Sequence, residues 1–116
     1  MSEVKLRVLV RARELILDKE NWIIGTMRQR RRGRHPQYCV YGAMRQACVE
    51  LTGSEQTSGI IHQQVILRLV YINDHYGHAA VIAYLDSMIM DVVLNEMRRQ
   101  KESPPNLAAL ALLAAE

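Results

Sequence analysis

Polar residues recur along the first stretch of the chain at helical spacing. Glu3, Arg7, Arg11, Glu14 and Asp18 fall on one side; Val4, Val8, Leu9, Ala12, Leu15 and Ile16 fall on the other. This pattern predicts an amphipathic helix from Glu3 to about Asp18, with Ser2 as its N-cap. Glu3 and Arg7 form a favourable i,i+4 pair on it. The apolar run around Trp22 to Met27 suits a short strand or hairpin arm. Residues 28–36 contain no apolar side chain and are punctuated by Gly33 and Pro36, which predicts an exposed loop.

A second helix is expected to start near Pro36 and to end before Gly53. Val40, Met44, Ala47, Cys48 and Leu51 form its apolar stripe. Cys39, Gly42, Ala43 and Ala47 give it a thin side. Gly42 costs about 1 kcal/mol of helix propensity relative to Ala, so close approach of a neighbouring backbone is the expected reason for it. After the turn-rich segment "TGSEQTSG" (52–59), a third helix is predicted from about Gly59 to Ile72. Ile61, Val65, Leu69 and Ile72 line one face, and Ile60, Ile66, Leu67 and Val70 widen it until little polar surface remains. This should be the most buried helix.

Residues 73–78 break the period. A long helix from about His78 to Gln100 follows, dry along Val81, Ile82, Leu85, Met88, Ile89, Val92, Val93 and Met97, and wet along Tyr84, Ser87, Asp91, Asn95 and Arg98. "KESPPN" (101–106) ends it, and Leu107 to Ala115 reads as a short Ala/Leu helix. The expected fold class is all-α. A single compact domain of four main helices (1–103) carries an exposed arginine-rich loop and a C-terminal helical appendage (104–116).

Composition refines this picture. A chain of 116 residues, 49% hydrophobic and 23% charged, suits one soluble globular domain. With no Phe and one Trp, the core must come from Ile, Leu, Val, Met and Tyr. Fifteen Lys and Arg against twelve Asp and Glu give +3; without the five arginines of 28–34, ten remain against twelve, or −2. The molecule is therefore a near-neutral body with one basic patch. If Cys39 and Cys48 share one helix they lie about 13 Å apart, too far for a disulfide, so both should be free thiols in a reducing compartment. The N-terminus has no signal-peptide pattern, and no apolar run reaches the roughly 18 residues of a membrane helix. The cytosol is the expected location.

The candidate chemistry is centred on "RQRRRGRHPQ" (28–37). Arg28, Arg30, Arg31, Arg32 and Arg34 are more than a solvated loop requires, because Lys, Ser or Glu would solvate it as well. The guanidinium fork pairs with carboxylate or phosphate, so these five are expected to meet an anionic partner. An acidic protein surface is the first expectation, and nucleic acid the second. Only Trp22 and Tyr38 are near enough in sequence to stack on bases.

Other constellations are weaker. Cys39, Asp74 and His75 are the residue types of a Cys-dependent enzyme, but Cys39 lies in a small-residue packing stripe and no oxyanion motif accompanies it. His62, His75 and His78 lack the matched pairs of a zinc site, so no metal or other cofactor is expected. Asn73 and Asp74 suit a turn between two helices. Asp86 and Asp91 point about 140° apart on a helix, which excludes a paired-carboxylate site. Leu107, Leu110 and Leu113, extended by Ala111 and Ala114, must dock on their own domain, on a second copy in a homodimer, or on another partner, since so short a helix is unstable alone.

Trp22 after a first helix, "YCVYGAM" (38–44), and "IND" (72–74) before a final long helix resemble a group of uncharacterised small proteins from actinobacteria and their phages. In that group a Trp, a Cys-x-x-Gly-Ala helix start and an Asn-Asp recur in this order. The resemblance spans roughly residues 4–98 and marks Trp22, Cys39, Gly42, Asn73 and Asp74 as motif positions. It implies a cytosolic helical domain and supplies no indication of an activity. The reading favoured overall is a non-enzymatic binding module acting through protein contacts. A nucleic-acid-binding protein and a Cys-dependent enzyme are the alternatives.

Overall fold

The first amphipathic stretch folds as α1, Ser2–Ile16. Ser2 is the first residue of this helix rather than a cap outside it. The computed structural model describes residues 2–102 and 107–115 of the chain. Leu6, Val8, Leu9, Ala12 and Ile16 turn inward from α1 and are essentially inaccessible to water. Full burial of one Leu or Ile contributes about 1.5–3 kcal/mol, so this face anchors the molecule.

A single 3₁₀ turn at Lys19–Asn21 follows, capped by the Asp18 carboxylate, which accepts from the Glu20 N–H at 2.9 Å. The predicted strand at Trp22–Met27 does not form as such. Trp22 makes an isolated bridge to Tyr38, residues 24–27 bend, and the strand proper comes later. β1 (Arg28–Gln29) pairs antiparallel with β2 (Gln37–Tyr38), Arg28 opposite Tyr38. The expected loop is thus the tip of a small hairpin, with a turn in which the Arg34 N–H donates to the Arg31 carbonyl at 3.2 Å. Gly33 takes φ +71° there, a conformation costly for side chains with a Cβ.

α2 (Val40–Thr52) starts four residues later than Pro36 and stops before Gly53 as expected. Its buried side is Val40, Gly42, Ala43, Met44, Ala47 and Cys48. The predicted start of the next helix is four residues early. The Thr57 carbonyl accepts from both Ile60 and Ile61, at 2.9 and 2.8 Å, which winds 57–61 into a separate turn. His62 then caps α3 (Gln63–His75), its Nδ1 accepting from the Gln64 N–H at 3.1 Å. Nor is α3 the most buried helix. Only Ile66, Leu69 and Asn73 are buried on it, and Leu67 is 59% exposed. Of the apolar residues added to its main face, Ile66 is buried, Ile60 and Val70 are half-buried against the core, and Leu67 alone of the four faces solvent.

α4 (His78–Glu102) begins at the predicted residue. Val81, Leu85 and Val92 enter the core, whereas Met97, expected on the dry side, is exposed. Glu96 is 5% exposed and is bound by Arg99 at 2.5 Å. Among the described residues, one helix, His78–Lys101, is long and apolar enough to cross a membrane by length and composition; here it lies against α1 and α3. The chain closes with α5 (Leu107–Ala115), whose Leu112 and Leu113 pack half-buried against the core. Residues 103–106, which hold the expected boundary between domain and appendage, lie outside the described residues. The whole is a mostly helical single globule, with α1 at the centre between α2 and α4.

Candidate functional site

The arginine hairpin is held on the body by a small set of contacts at its base. Met27, immediately before β1, carries the first. Its carbonyl accepts from the Cys39 N–H at 3.3 Å, and it lies over Gly42 so closely that a Cβ there would be 1.8 Å from the oxygen. The thin side of α2 therefore receives a neighbouring backbone, as the glycine suggested. Cys39 caps α2, its Sγ accepting from the Gly42 N–H at 3.4 Å. Arg45 donates to the Met27 sulfur at 3.0 Å.

The second set of contacts converges on Asn73. Sequence reasoning placed Asn73 and Asp74 in a turn; both lie inside α3 instead. Asn73 is 1% exposed. Its Oδ1 accepts from the Trp22 indole N–H at 2.7 Å and from the Val40 N–H at 2.9 Å. Its Nδ2 donates to the Ile23 carbonyl at 3.4 Å and to Asp74 Oδ1 at 3.2 Å. One amide thus ties the segment entering the hairpin, the first turn of α2 and α3 to one another. A buried amide has to satisfy its own polar groups, and this one satisfies two other donors at the same time. Trp22 also packs on the His78 ring with centroids 5.5 Å apart, and His78 Nε2 is 2.6 Å from the Ile16 carbonyl.

The five arginines of the hairpin do not behave alike. Arg28 lies over the Tyr38 ring, 5.8 Å from its centroid, a cation–π contact. Arg31 is half-buried and bonds Asn21 Oδ1 at 2.8 Å and the His35 carbonyl at 3.0 Å. These two brace the hairpin. Arg30, Arg32 and Arg34 are exposed around the tip. Among the described residues, no carboxylate pairs with any of the five, while Arg11, Arg13, Arg45 and Arg99 each pair with one. The Arg11–Glu50 pair, 2.7 Å long, shows the difference: the hydrogen bond raises the pKa of Arg11 and holds the Glu50 carboxyl below its usual range.

The Cys39 thiol is moved the other way from an activated nucleophile. Burial pushes its pKa up and outweighs the opposing hydrogen bonds from the Gly42 and Tyr41 N–H groups, while the nearby Asp74 charge adds a smaller upward push. Burial also raises Cys48. Both are free and buried, and Cys39 caps α2 rather than lying in it. His75 stacks on Tyr71 at 4.4 Å, on the exposed side of α3. Asp86 is taken by Arg13 at 2.5 Å. No three His, Cys, Asp or Glu side chains among the described residues gather as metal ligands.

A second surface, not anticipated from the sequence, adjoins the hairpin. A groove of about 570 Å³ runs between α2, the 54–58 segment and α3. Tyr41, Ile66, Leu67 and Val70 supply its apolar floor, with Arg45 and Glu55 at one side. Arg45 pairs with Glu55 and lies 5.8 Å from the Tyr41 ring centroid. The same two residues line a smaller hollow of about 200 Å³ that also contains Met27 and Arg28. The groove and the hairpin base therefore adjoin across the Arg45–Glu55 pair. The surplus of apolar residues on α3 was the available sequence signal, and it was read as burial.

Fold and site together define a small helical module that presents a braced basic hairpin beside an apolar groove. The chain belongs to a family of unknown function, DUF6197, whose model matches residues 1–91. No curated protein and no solved structure matches the chain.

Proposed function

We propose that this protein is a non-enzymatic binding module that grips an acidic protein surface with Arg30, Arg32 and Arg34, with Arg28 and Arg31 fixing their presentation. The carrying observation is the absence, among the described residues, of any carboxylate paired with these arginines in a molecule whose other arginines so often have one. An unpaired guanidinium cluster on a rigid base retains its bidentate capacity for an incoming anion. Asp18 and Glu20 lie exposed on the 3₁₀ turn beside β2, where Gln37 donates to the Glu20 carbonyl at 2.9 Å. Acids flanking the basic tip favour a partner with a compact acidic patch over the continuous charge of a nucleic-acid backbone. The raised Cys39 pKa supports a structural role for that thiol. The resemblance to small proteins of actinobacteria and their phages supports seeking the partner in such a host, in the cytoplasm.

Fluorescence polarisation of labelled oligoglutamate, duplex DNA, single-stranded DNA and RNA tests this reading at low and moderate salt. Oligoglutamate should bind the full chain and lose binding to the Arg30→Ser/Arg32→Ser/Arg34→Ser variant. Nucleic acid bound in preference, with a logarithmic salt slope near about −2.7 for three phosphate contacts, would transfer the hairpin to nucleic-acid recognition.

A further inference from the structure

The groove beside the hairpin names the partner more closely. We propose that the acidic partner is a peptide segment that also carries one bulky apolar side chain, and that this side chain seats on Tyr41, Ile66, Leu67 and Val70 while its acids meet the arginines. The inference rests on the reading of the hairpin as a contact surface.

Three observations support it. Leu67 is 59% exposed at the groove although it stands on a helix that buries Ile66 and Leu69 on either side of it. A large side chain left in water at a concave site is a ready anchor point for a partner. The groove shares Arg45 and Glu55 with the hollow at the hairpin base, which also holds Met27 and Arg28, so the two sites are immediate neighbours. Finally, the charges at the two ends differ in kind. Arg45 and Glu55 already neutralise each other at the groove, whereas the hairpin arginines are unneutralised. The complementary ligand is therefore apolar at one end and acidic at the other.

The division of labour follows from these properties. Acidic residues speed encounter and fix orientation, as charge complementarity does at interfaces generally. The apolar anchor supplies the slow dissociation, because a few desolvated aromatic or aliphatic side chains carry most binding energy.

Two pools of labelled synthetic peptides test the proposal by fluorescence polarisation. Each peptide has a run of glutamates and, at varied spacing from it, Trp in one pool and Ser in the other. The full chain should bind the Trp pool tighter by about tenfold or more, the effect of a single interface anchor. Leu67→Ser, at an exposed position, should abolish that preference, bringing affinity for the Trp pool down to that for the Ser pool. The Arg30→Ser/Arg32→Ser/Arg34→Ser variant should lose both pools. Equal binding of both pools to the full chain, lost in the arginine variant, would overturn the groove proposal and leave the hairpin reading standing. A Trp preference that survives Leu67→Ser would overturn it too. Binding of neither pool would overturn both readings.

Discussion

Asn73 joins more of this molecule than any other single side chain near the hairpin. Replacing it with Leu keeps the bulk but leaves the Trp22 indole N–H and the Val40 N–H without their acceptor. Each orphaned buried donor costs about 1–3 kcal/mol, more than a lost turn or cap residue. Thermal unfolding of Asn73→Leu should show a large drop in melting temperature, on the order of 10 °C for a domain of this size. An unchanged melting temperature would remove Asn73 from the account. Its importance was only half visible in the sequence. The Asn-Asp pair looked like turn chemistry because its side chains suit turns; nothing in a linear pattern shows that Asn73 faces inward toward residues 33 and 51 positions earlier. Gly42 was read correctly, because a helix-interior glycine has few explanations other than close approach. Gly42→Ala should gain about 1 kcal/mol of helix propensity and lose more to the Met27 carbonyl. Limited trypsin digestion checks this: cleavage within 28–34 should be faster in Gly42→Ala than in the parent, and equal rates would contradict the wedge. At Cys39, burial and the raised pKa predict slow alkylation of the native protein at neutral pH. Rapid, selective alkylation of Cys39 would restore the enzyme alternative.

At the level of elements, long periodic segments were readable and short ones were not. α1, α2 and α4 emerge near their predicted positions because each repeats its apolar stripe over several turns. The two-residue strands of the hairpin have no period to read, and their pairing sets Arg28 opposite Tyr38 across the arginine run, with Trp22 separately bridged to Tyr38. For α3, composition was mistaken for burial. Leu67 stands exposed on that helix, and with Ile66 and Val70 it lines the groove. α5 was expected to dock on its own domain, on a second copy or on another partner. Leu112 and Leu113 pack on the core, so deletion of residues 104–116 should lower stability by about 1–3 kcal/mol without changing the molecular mass in light scattering. A halved mass after deletion would assign the helix to a homodimer.

For the molecule as a whole, charge is partitioned between internal pairs and the hairpin. The Arg11–Glu50 pair supplies acid sensitivity. The Glu50 carboxyl titrates below its usual range in the fold, so its contribution is present above the unfolded-state value of about 4.3 and is lost as pH falls through the lower folded value. Glu50→Gln should therefore flatten the acid limb of a stability–pH profile; an unaltered limb would show that this partly exposed pair contributes nothing measurable. In the proposed reading the hairpin charges contribute recognition instead, and the central claim is that they hold a protein partner. Its most direct test is affinity capture from nuclease-treated lysate of a native host, comparing the full chain with Arg30→Ser/Arg32→Ser/Arg34→Ser after circular dichroism has shown both folded. The account predicts a protein carrying an acidic segment that is retained by the full chain and lost from the variant. Identical proteins retained by both would contradict it.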